Sequence, residues 1–447
     1  MKTSVLLDHE PVADGGYLAR ALLRIEGEPP TAEGRIPLNL SLVLDRSGSM
    51  SGEPLEAARD AAAMLVRRLY PEDTVSVVAY DDEVDVVAMP ATGEAQEGLS
   101  ALIGSIRARG CTNLSGGWLR GRDLVAQGRR EGGVNRVVLL TDGLANVGIT
   151  DPATLIGLTR SAARDGITTT TIGFGPGYDE DLLAAMADGG GGGAYYVERV
   201  DQASGIFEEE LEGLLSLAAQ NVRVAIRPGA DADFVKVLHD VPSHAEGAEL
   251  TLEVGDLYAR EPRRVVMEFL IPPEAVERLR GGAEGREPDL FTQPPPGADA
   301  GAPGAPSSAE VAHLRVLAHV LTPGGGVELQ EITLPVTLSP ETGGHVEPEV
   351  RREVLLVEAA RAREQALQAR EHGDFDGAAH MLRAVAERAR TFGLDDATLL
   401  EEADDLERMS RSFGDMDVSA SDVKYLKQRA YARHRGRGGS VQRFRRE

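Results

Sequence analysis

The sequence predicts an α/β domain with a doubly wound, mainly parallel sheet, inserted in a β-sandwich and followed by a C-terminal helical region. Three changes of pattern support this fold class. Over residues 37–217, apolar runs of strand length alternate with amphipathic helical patterns, which is typical of a parallel sheet covered on both faces. Over 218–347 the apolar period changes to two, as in a sandwich. From Pro348 the helical period returns.

The first strand of the α/β domain is the apolar run Leu38–Leu44, which ends at Asp45. Pro54 then occupies the first turn of a helix, where a missing N–H is tolerated. Later strands are expected at Thr74–Tyr80, Val84–Ala88, Arg136–Thr141, Ile167–Ile172 and Ala194–Val197. Helices are expected at about 94–107, 116–128, 151–166, 179–187 and 202–217. The glycine run at 189–193 reads as a turn before the last strand.

The sandwich is expected to take strands from both sides of the α/β domain. Residues 1–36 contain Tyr17–Ile25, which has strand composition but no local partner, and an unpaired strand is not stable alone. These residues should therefore join the strands of 218–347. The segment at about 281–308 is rich in Pro, Gly and Ala, which predicts a disordered loop.

The helical region covers 348–413 and the tail covers 414–447. One pair of helices resembles a single tetratricopeptide hairpin, but such repeats need about three units to bury a core, which favours a plain bundle. From Lys424 onward the tail holds nine Lys or Arg and one acid, and it is predicted to be flexible. Three interpretations of the tail are open: it lies against the chain's own acidic body or in solvent, it docks on an acidic partner, or it contacts nucleic acid. We rank these interpretations in that order.

Composition limits the possible partners and compartments. A net charge of −25 argues against general binding of nucleic acid or acidic membranes by the body of the chain. Cys111 is the only cysteine, which excludes an intrachain disulfide and fits a reducing compartment. The start lacks a signal-peptide core, and the apolar runs are too short to span a bilayer. A cytoplasmic protein is therefore expected.

The strongest local signal is Asp45-Arg46-Ser47-Gly48-Ser49, which stands between a buried strand and a helix. Alone, it could be a helix cap. Thr112 precedes a later helix, however, and Asp142 ends the strand Arg136–Thr141. The carboxyl ends of parallel strands share one rim of the sheet, so the three segments should meet there. They offer only oxygen ligands, as Mg²⁺ or Mn²⁺ prefers. The candidate metal site therefore consists of Asp45, Ser47, Ser49, Thr112 and Asp142.

These three ordered motifs resemble the metal-ion-dependent adhesion site (MIDAS) of the von Willebrand factor type A (VWA) family, which has a Rossmann-like fold. The resemblance covers roughly residues 37–217. It implies that Ser47 and Ser49 ligate the ion directly, that Thr112 ligates in at least one state, and that Asp45 and Asp142 act largely through water. The flanking sandwich also looks like that of bacterial members. Cys111 stands where many relatives have Gly.

A site with neutral hydroxyls as direct ligands leaves the cation electrophilic, so an open position would favour a carboxylate from a partner's Asp or Glu. We therefore expect a metal-dependent scaffold or adaptor rather than an enzyme. The resemblance leaves open a partnership with an AAA+ ATPase, as in chelatase-type and chaperone-type relatives. A metal-dependent hydrolase is disfavoured, because the two carboxylates have no adjacent general base or nucleophile.

Other motifs carry weaker signals. The sequence at 173–177 is similar to a glycine-rich dinucleotide-binding motif, but it contains Pro and lacks a third glycine that opens a helix. The chain also has no P-loop motif. The histidine pairs His239/His244 and His313/His319 read as strand-surface residues rather than zinc ligands. Cys111 lacks a paired base. The run Asp81-Asp82-Glu83 could hold a second metal, but an acidic hairpin turn explains it more simply.

Overall fold

The computed structural model describes residues 1–28, 36–93, 98–129, 133–175, 177–197, 203–259, 261–284, 308–322, 326–338, 344–393, 395–414, 423, 426–427, 429–431 and 433. The strands are β1 (Lys2–Pro11), β2 (Tyr17–Glu26), β3 (Leu38–Asp45), β4 (Thr74–Tyr80), β5 (Val84–Ala91), β6 (Val134–Thr141), β7 (Thr168–Phe174), β8 (Gly191–Val197), β9 (Leu217–Pro228), β10 (Asp233–Val237), β11 (Ser243–Glu246), β12 (Glu249–Tyr258), β13 (Arg263–Ile271), β14 (Ala309–Thr322) and β15 (Gly326–Leu338). The helices are α1 (Glu53–Arg67), α2 (Leu99–Ser105), α3 (Leu114–Gln127), α4 (Pro152–Arg164), α5 (Glu180–Gly189), α6 (Ala203–Leu215), α7 (Pro273–Glu284), α8 (Pro348–Glu371), α9 (Phe375–Phe392) and α10 (Ala397–Gly414).

The α/β domain is built on a sheet of six strands in the order β5-β4-β3-β6-β7-β8. All neighbours are parallel except β4 and β5. Every residue of β3 is buried, because its side chains alternate between two cores: Leu42 lies in one and Val43 in the other. Helices cover both faces, so the predicted doubly wound sheet is confirmed.

The glycine run before the last strand of this sheet is not a simple turn. β8 begins at Gly191, inside the run that the sequence suggested to be a turn. A Cβ at Gly192 would lie 2.1 Å from the carbonyl oxygen of Thr169 on β7. Only glycine lets the two backbones approach this closely, so these residues serve strand pairing as well as the turn.

The sandwich combines a sheet of order β1-β2-β13-β10 with a sheet of order β11-β12-β9-β14-β15. β2 pairs antiparallel with β13 over the register from Tyr17↔Ile271 to Ile25↔Arg263. Leu23 of β2 and Val224 of β9 belong to one buried core, which holds the two sheets together. The N-terminal strands thus complete the sandwich, and the α/β domain is inserted between β2 and β9, as predicted.

The loop expected at about 281–308 lies mostly outside the described residues. Its first four positions, 281–284, are helical and complete α7. The prediction of a loop is therefore wrong for these four positions. A helix already begun at Pro273 gains one hydrogen bond for each residue added, so it continues past the glycines.

The C-terminal region forms a three-helix bundle of α8, α9 and α10, with a core rich in alanine. One side of α8 packs on the sandwich: Val350, Val354 and Val357 share a buried cluster with Leu22 of β2 and Val266 of β13. The bundle is therefore attached to the sandwich by apolar contact. None of the helices in the described part of the chain is both long and apolar enough to cross a membrane.

Part of the tail does not match the prediction of a flexible segment. The described residues 423, 426–427, 429–431 and 433 all have helical backbone, and we call them the tail segment. Leu426 and Ala430 are buried, and Leu426 belongs to the core of the helical bundle. Their apolar contacts fix the segment, which therefore lies against the chain's own body.

Candidate metal centre

Asp45 stands at the carboxyl end of β3 and is fully buried. Its Oδ1 accepts a hydrogen bond of 2.8 Å from the backbone N–H of Ser47. Its Oδ2 accepts one of 2.6 Å from the hydroxyl of Thr141, the last residue of the neighbouring strand β6. The carboxylate is thus held both by its own loop and by the adjacent strand, with its orientation fixed.

The two serines connect Asp45 to the second aspartate. The Oγ atoms of Ser47 and Ser49 are 3.1 Å apart. The hydroxyl of Ser49 donates to Oδ1 of Asp142 at 2.7 Å. Ser47 is buried and Ser49 is exposed. The side chains therefore form a connected row of oxygen atoms that runs from the interior to the surface.

Thr112 completes the group from a separate loop. A Cβ built on Gly143 would lie 3.2 Å from Oγ1 of Thr112 and 3.6 Å from Oγ of Ser49, so both hydroxyls face the same backbone position. Asn146 fixes the Thr112 loop, because its Oδ1 accepts from the N–H of Thr112 at 2.8 Å and its own N–H donates to the Thr112 carbonyl at 3.2 Å. All five residues that the sequence singled out come together, whereas Asn146 was missed because no periodic pattern marks it.

Helix α3 begins two residues after Thr112 and lies unusually close to the sheet. A Cβ at Gly117 would meet the Tyr80 ring at 2.5 Å, and one at Gly121 would meet Val43 at 2.4 Å. Asn113 caps the helix by accepting from the N–H of Gly116 at 2.9 Å. The glycines therefore place the start of α3, and with it Thr112, at the sheet rim.

The Asp81-Asp82-Glu83 turn supports the site through ion pairs. Oδ2 of Asp81 accepts from Nε of Arg46 at 2.9 Å and from Nε of Arg109 at 2.6 Å. Oδ1 of Asp82 accepts from the N–H of Cys111 at 3.2 Å. Burial alone would raise the pKa of Asp81, but the N–H of Glu83 and the two guanidinium groups outweigh it and lower the pKa. The turn thus fastens the Thr112 loop to the Asp45 loop, and the sequence alone did not reveal the roles of Arg46 and Arg109.

The electrostatics of the row favour a bound cation. Burial raises the pKa of Asp45 to about 6, and the nearby charge of Asp142 contributes. Burial also raises the pKa of Asp142. Both carboxylates are thus costly to ionise by themselves, and a dication would remove this cost.

Other predicted candidates do not form metal sites in the described part of the chain. No group of three or more His, Cys, Asp or Glu side chains there could hold an ion. His239 was expected at a strand surface but is buried, and its Nδ1 accepts from the N–H of Val266 at 3.1 Å. A metal held by the described residues would therefore depend on hydroxyl ligands, as the Asp45 row provides.

Comparison with known proteins identifies two parts of this architecture, the inserted α/β domain and the C-terminal helices. A sequence model of the von Willebrand factor type A domain matches residues 39–209. Residues 39–209 are a VWA domain. A second model, described as the Sll0103-like C-terminal alpha-helical domain, matches residues 348–419. The resemblance read from the motifs is therefore confirmed for the VWA domain.

Individual relatives agree with this assignment. The protein sll0103 of Synechocystis sp. is 29% identical over 279 residues, which cover 60% of this chain and 66% of that protein. YfbK of Escherichia coli is 30% identical over 190 residues, or 42% of this chain and 33% of that protein. Both relatives thus extend well beyond the matched region. A solved structure described as von Willebrand factor type A from Catenulispora acidiphila has a TM-score of 0.63 at 17% identity, covering 91% of this chain and 96% of that one. It shares the overall fold, including the regions around the VWA domain.

Proposed function

We propose that this chain is a metal-dependent protein-binding module that holds one Mg²⁺ or Mn²⁺ at its VWA domain and binds an Asp or Glu carboxylate of a partner protein. The observation that carries the proposal is the row Asp45–Ser47–Ser49–Asp142 with Thr112 beside it. Ser47, Ser49 and Thr112 would hold the ion, and the two aspartates would balance its charge. When bound, the ion supplies a positive charge that attracts a carboxylate.

The same contacts support binding rather than catalysis. Burial raises the pKa of Asp45 to about 6, well above the ordinary carboxyl value, and such a pKa would suit a general base. It is fully buried, however, and both of its oxygens accept hydrogen bonds from this chain. Its position therefore suits charge balance better than proton transfer to a substrate.

We place the function in the cytoplasm, where the exposed thiol of Cys111 would remain reduced.

The experiment measures Mn²⁺ binding by calorimetry on the full chain, the Asp45→Asn variant and a matched Asp60→Asn control. Asp60 is an exposed residue of α1 in the same domain. The wild type and the control should bind one ion with equal affinity, and Asp45→Asn should weaken binding at least about 10-fold, the lower end for disturbed outer-shell groups. Equal affinities in all three proteins would refute the metal site.

Partner binding is tested with the immobilised chain, in Mg²⁺ and in chelator, with mass spectrometry of the retained proteins. Partners that use the site should be retained by wild type in Mg²⁺ and lost both in chelator and with Asp45→Asn. A set of retained proteins that is identical under all three conditions would contradict a metal-dependent function.

A further inference from the structure

A cavity of about 500 Å³ lies at the junction of the VWA domain, the helical bundle and the tail segment. Tyr178 and Tyr196 line it from the VWA domain, and Leu367 and Glu371 line it from α8. Lys427 and Tyr431 of the tail segment complete the wall of the cavity. Several carboxylates also line it. The bundle and the VWA domain are therefore incompletely packed against each other here, and polar groups surround the gap.

The tail segment bridges this gap with polar contacts to helix α5 of the VWA domain. Nζ of Lys427 lies 2.9 Å from Oε1 of Glu180 and 2.9 Å from Oδ2 of Asp181. The hydroxyl of Tyr431 donates to Oδ1 of Asp188 at 2.7 Å. Positions four apart on helical backbone share a face, so Lys427 and Tyr431 reach the two ends of α5 together.

Other side chains of the tail segment bind the bundle. Leu426 is buried in the bundle core, and Ala430 is also fully buried. Arg429 forms ion pairs with Glu402 at 3.0 Å and with Asp405 at 2.6 Å, both on α10. The segment therefore belongs to the bundle by its apolar contacts and reaches the VWA domain by Lys427 and Tyr431.

The first turn of α5, which Lys427 contacts, follows a loop that lies against the metal centre. Glu180 and Asp181 are the first two residues of α5. The loop just before them lies against the metal rim, since a Cβ at Gly177 would be 2.9 Å from the carbonyl oxygen of Asp142. The ring of Tyr178 covers Gly173 of β7, where a Cβ would meet it at 2.3 Å. A displacement of the first turn of α5 would thus also move the short loop that contacts the backbone of Asp142.

We propose that the tail segment is a reversible latch, which holds α5 and the preceding loop of residues 177–179 in place and thereby maintains the metal-binding geometry at Asp142. This proposal rests on the proposed metal site and concerns its regulation. Closed, the latch supports high metal affinity; open, it frees the loop beside Asp142 and lowers that affinity. A change in the bundle or its tail is in this way transmitted to the site that binds the partner.

The kind of contact explains why the latch can open. The bundle is attached to the sandwich by the apolar cluster of α8 and by ion pairs such as that of Arg351 with Asp8. The tail segment, in contrast, contacts α5 through the ion pairs of Lys427 and the hydroxyl of Tyr431. The side chain of Asp181 is 77% exposed and that of Lys427 is 29% exposed, so solvent ions can screen the pair. Burial would lower the pKa of Lys427, but its carboxylate partners outweigh this and raise it, so the ammonium stays charged at neutral pH.

The test uses the full chain with Lys427→Gln, with Tyr431→Phe, and with a Lys2→Gln control, whose lysine lies 73% exposed in the sandwich. Amide hydrogen exchange of 177–189 reports the latch, and calorimetry with Mn²⁺ alone reports the metal site. We expect faster exchange and at least a 3-fold weaker Mn²⁺ affinity in both latch variants. Lys2→Gln should match wild type in both measurements. Tyr431→Phe removes only a hydroxyl, so it keeps the test valid if the lysine change disturbs folding.

Two results would overturn the proposal. Unchanged exchange of 177–189 in both variants would show that the contacts do not hold α5. Faster exchange with a Mn²⁺ affinity within 2-fold of wild type would show a latch without influence on the metal site. Failure of the proposed function is distinguishable from both, because it would appear as absence of Mn²⁺ binding in wild type itself.

Discussion

Arg136 is the buried charge on which the connection between the VWA domain and the sandwich depends. It lies on β6, fully buried, where Nη1 donates to Oε1 of Glu210 on α6 at 2.9 Å. Nη2 pairs with Asp256 on β12 of the sandwich. The Nε atom donates to the hydroxyl of Thr168 on β7 at 2.9 Å. One guanidinium group thus satisfies two buried carboxylates from two different parts of the fold.

Arg136→Met keeps much of the aliphatic volume but removes the cation. Glu210 and Asp256 are each only 1% exposed, so both carboxylates would lie in a medium of low dielectric constant without the guanidinium group that pairs with them in the wild type. Removing one partner from a buried ion pair costs about 3–5 kcal/mol, and here one arginine serves two carboxylates, so we expect a loss at the upper end. The cavity term should be small because methionine fills irregular space.

The assay is urea unfolding followed by the fluorescence of Trp118, the single tryptophan, which is buried in the VWA domain. Arg122→Met is the matched control: Arg122 is 35% exposed and pairs with its neighbour Asp123, so its loss should cost less than about 1 kcal/mol.

A second set of substitutions tests the cause. Adding Glu210→Gln and Asp256→Asn to Arg136→Met removes the uncompensated charges and should recover at least half of the lost stability. The reasoning would be refuted if Arg136→Met unfolds within about 1 kcal/mol of wild type, or if the two added substitutions recover none of the lost stability.

Three further predictions concern the metal centre and the sandwich. In metal-free protein, Asp45 binds a proton in the folded state between pH 3.8, its ordinary value, and about 6. The free energy of unfolding should therefore fall by about 3 kcal/mol as pH rises through this window, and Asp45→Asn should remove that slope in thermal melts. Thr112→Ala removes a neutral hydroxyl from the proposed metal site, so calorimetry should show a smaller loss of Mn²⁺ affinity than with Asp45→Asn. In wild type, Ca²⁺, which is larger and less demanding in geometry, should compete poorly with Mn²⁺. Deleting residues 1–28 removes β1 and β2 and exposes the sandwich core around Leu23, so gel filtration should show aggregation. A truncated protein that stays monomeric and melts like the full chain would contradict the shared sandwich.

The sequence alone determined the fold class, the insertion of the α/β domain and the five residues of the candidate site. These features are encoded locally: the segment Leu38–Leu44 is apolar at five of its seven positions, which predicts a buried strand, and the residue after it must emerge at the carboxyl rim. Tyr17–Ile25 could likewise be placed in the sandwich because a strand needs a partner.

Tertiary structure alone decided which distant groups meet. Arg136 and Asp256 are 120 positions apart, and Lys427 and Glu180 are 247 apart. Charged residues at such separations carry no periodic signal, because their pairing depends on which faces the packed domains bring together. For the same reason the sequence did not reveal the role of Asn146, whose contact with Thr112 spans 34 positions. It also did not reveal that the tail segment is packed: its basic composition predicted flexibility, whereas the burial of Leu426 and the carboxylate partners of Lys427 depend on the assembled fold. Local patterns record burial, whereas long-range pairing is a property of the assembled fold.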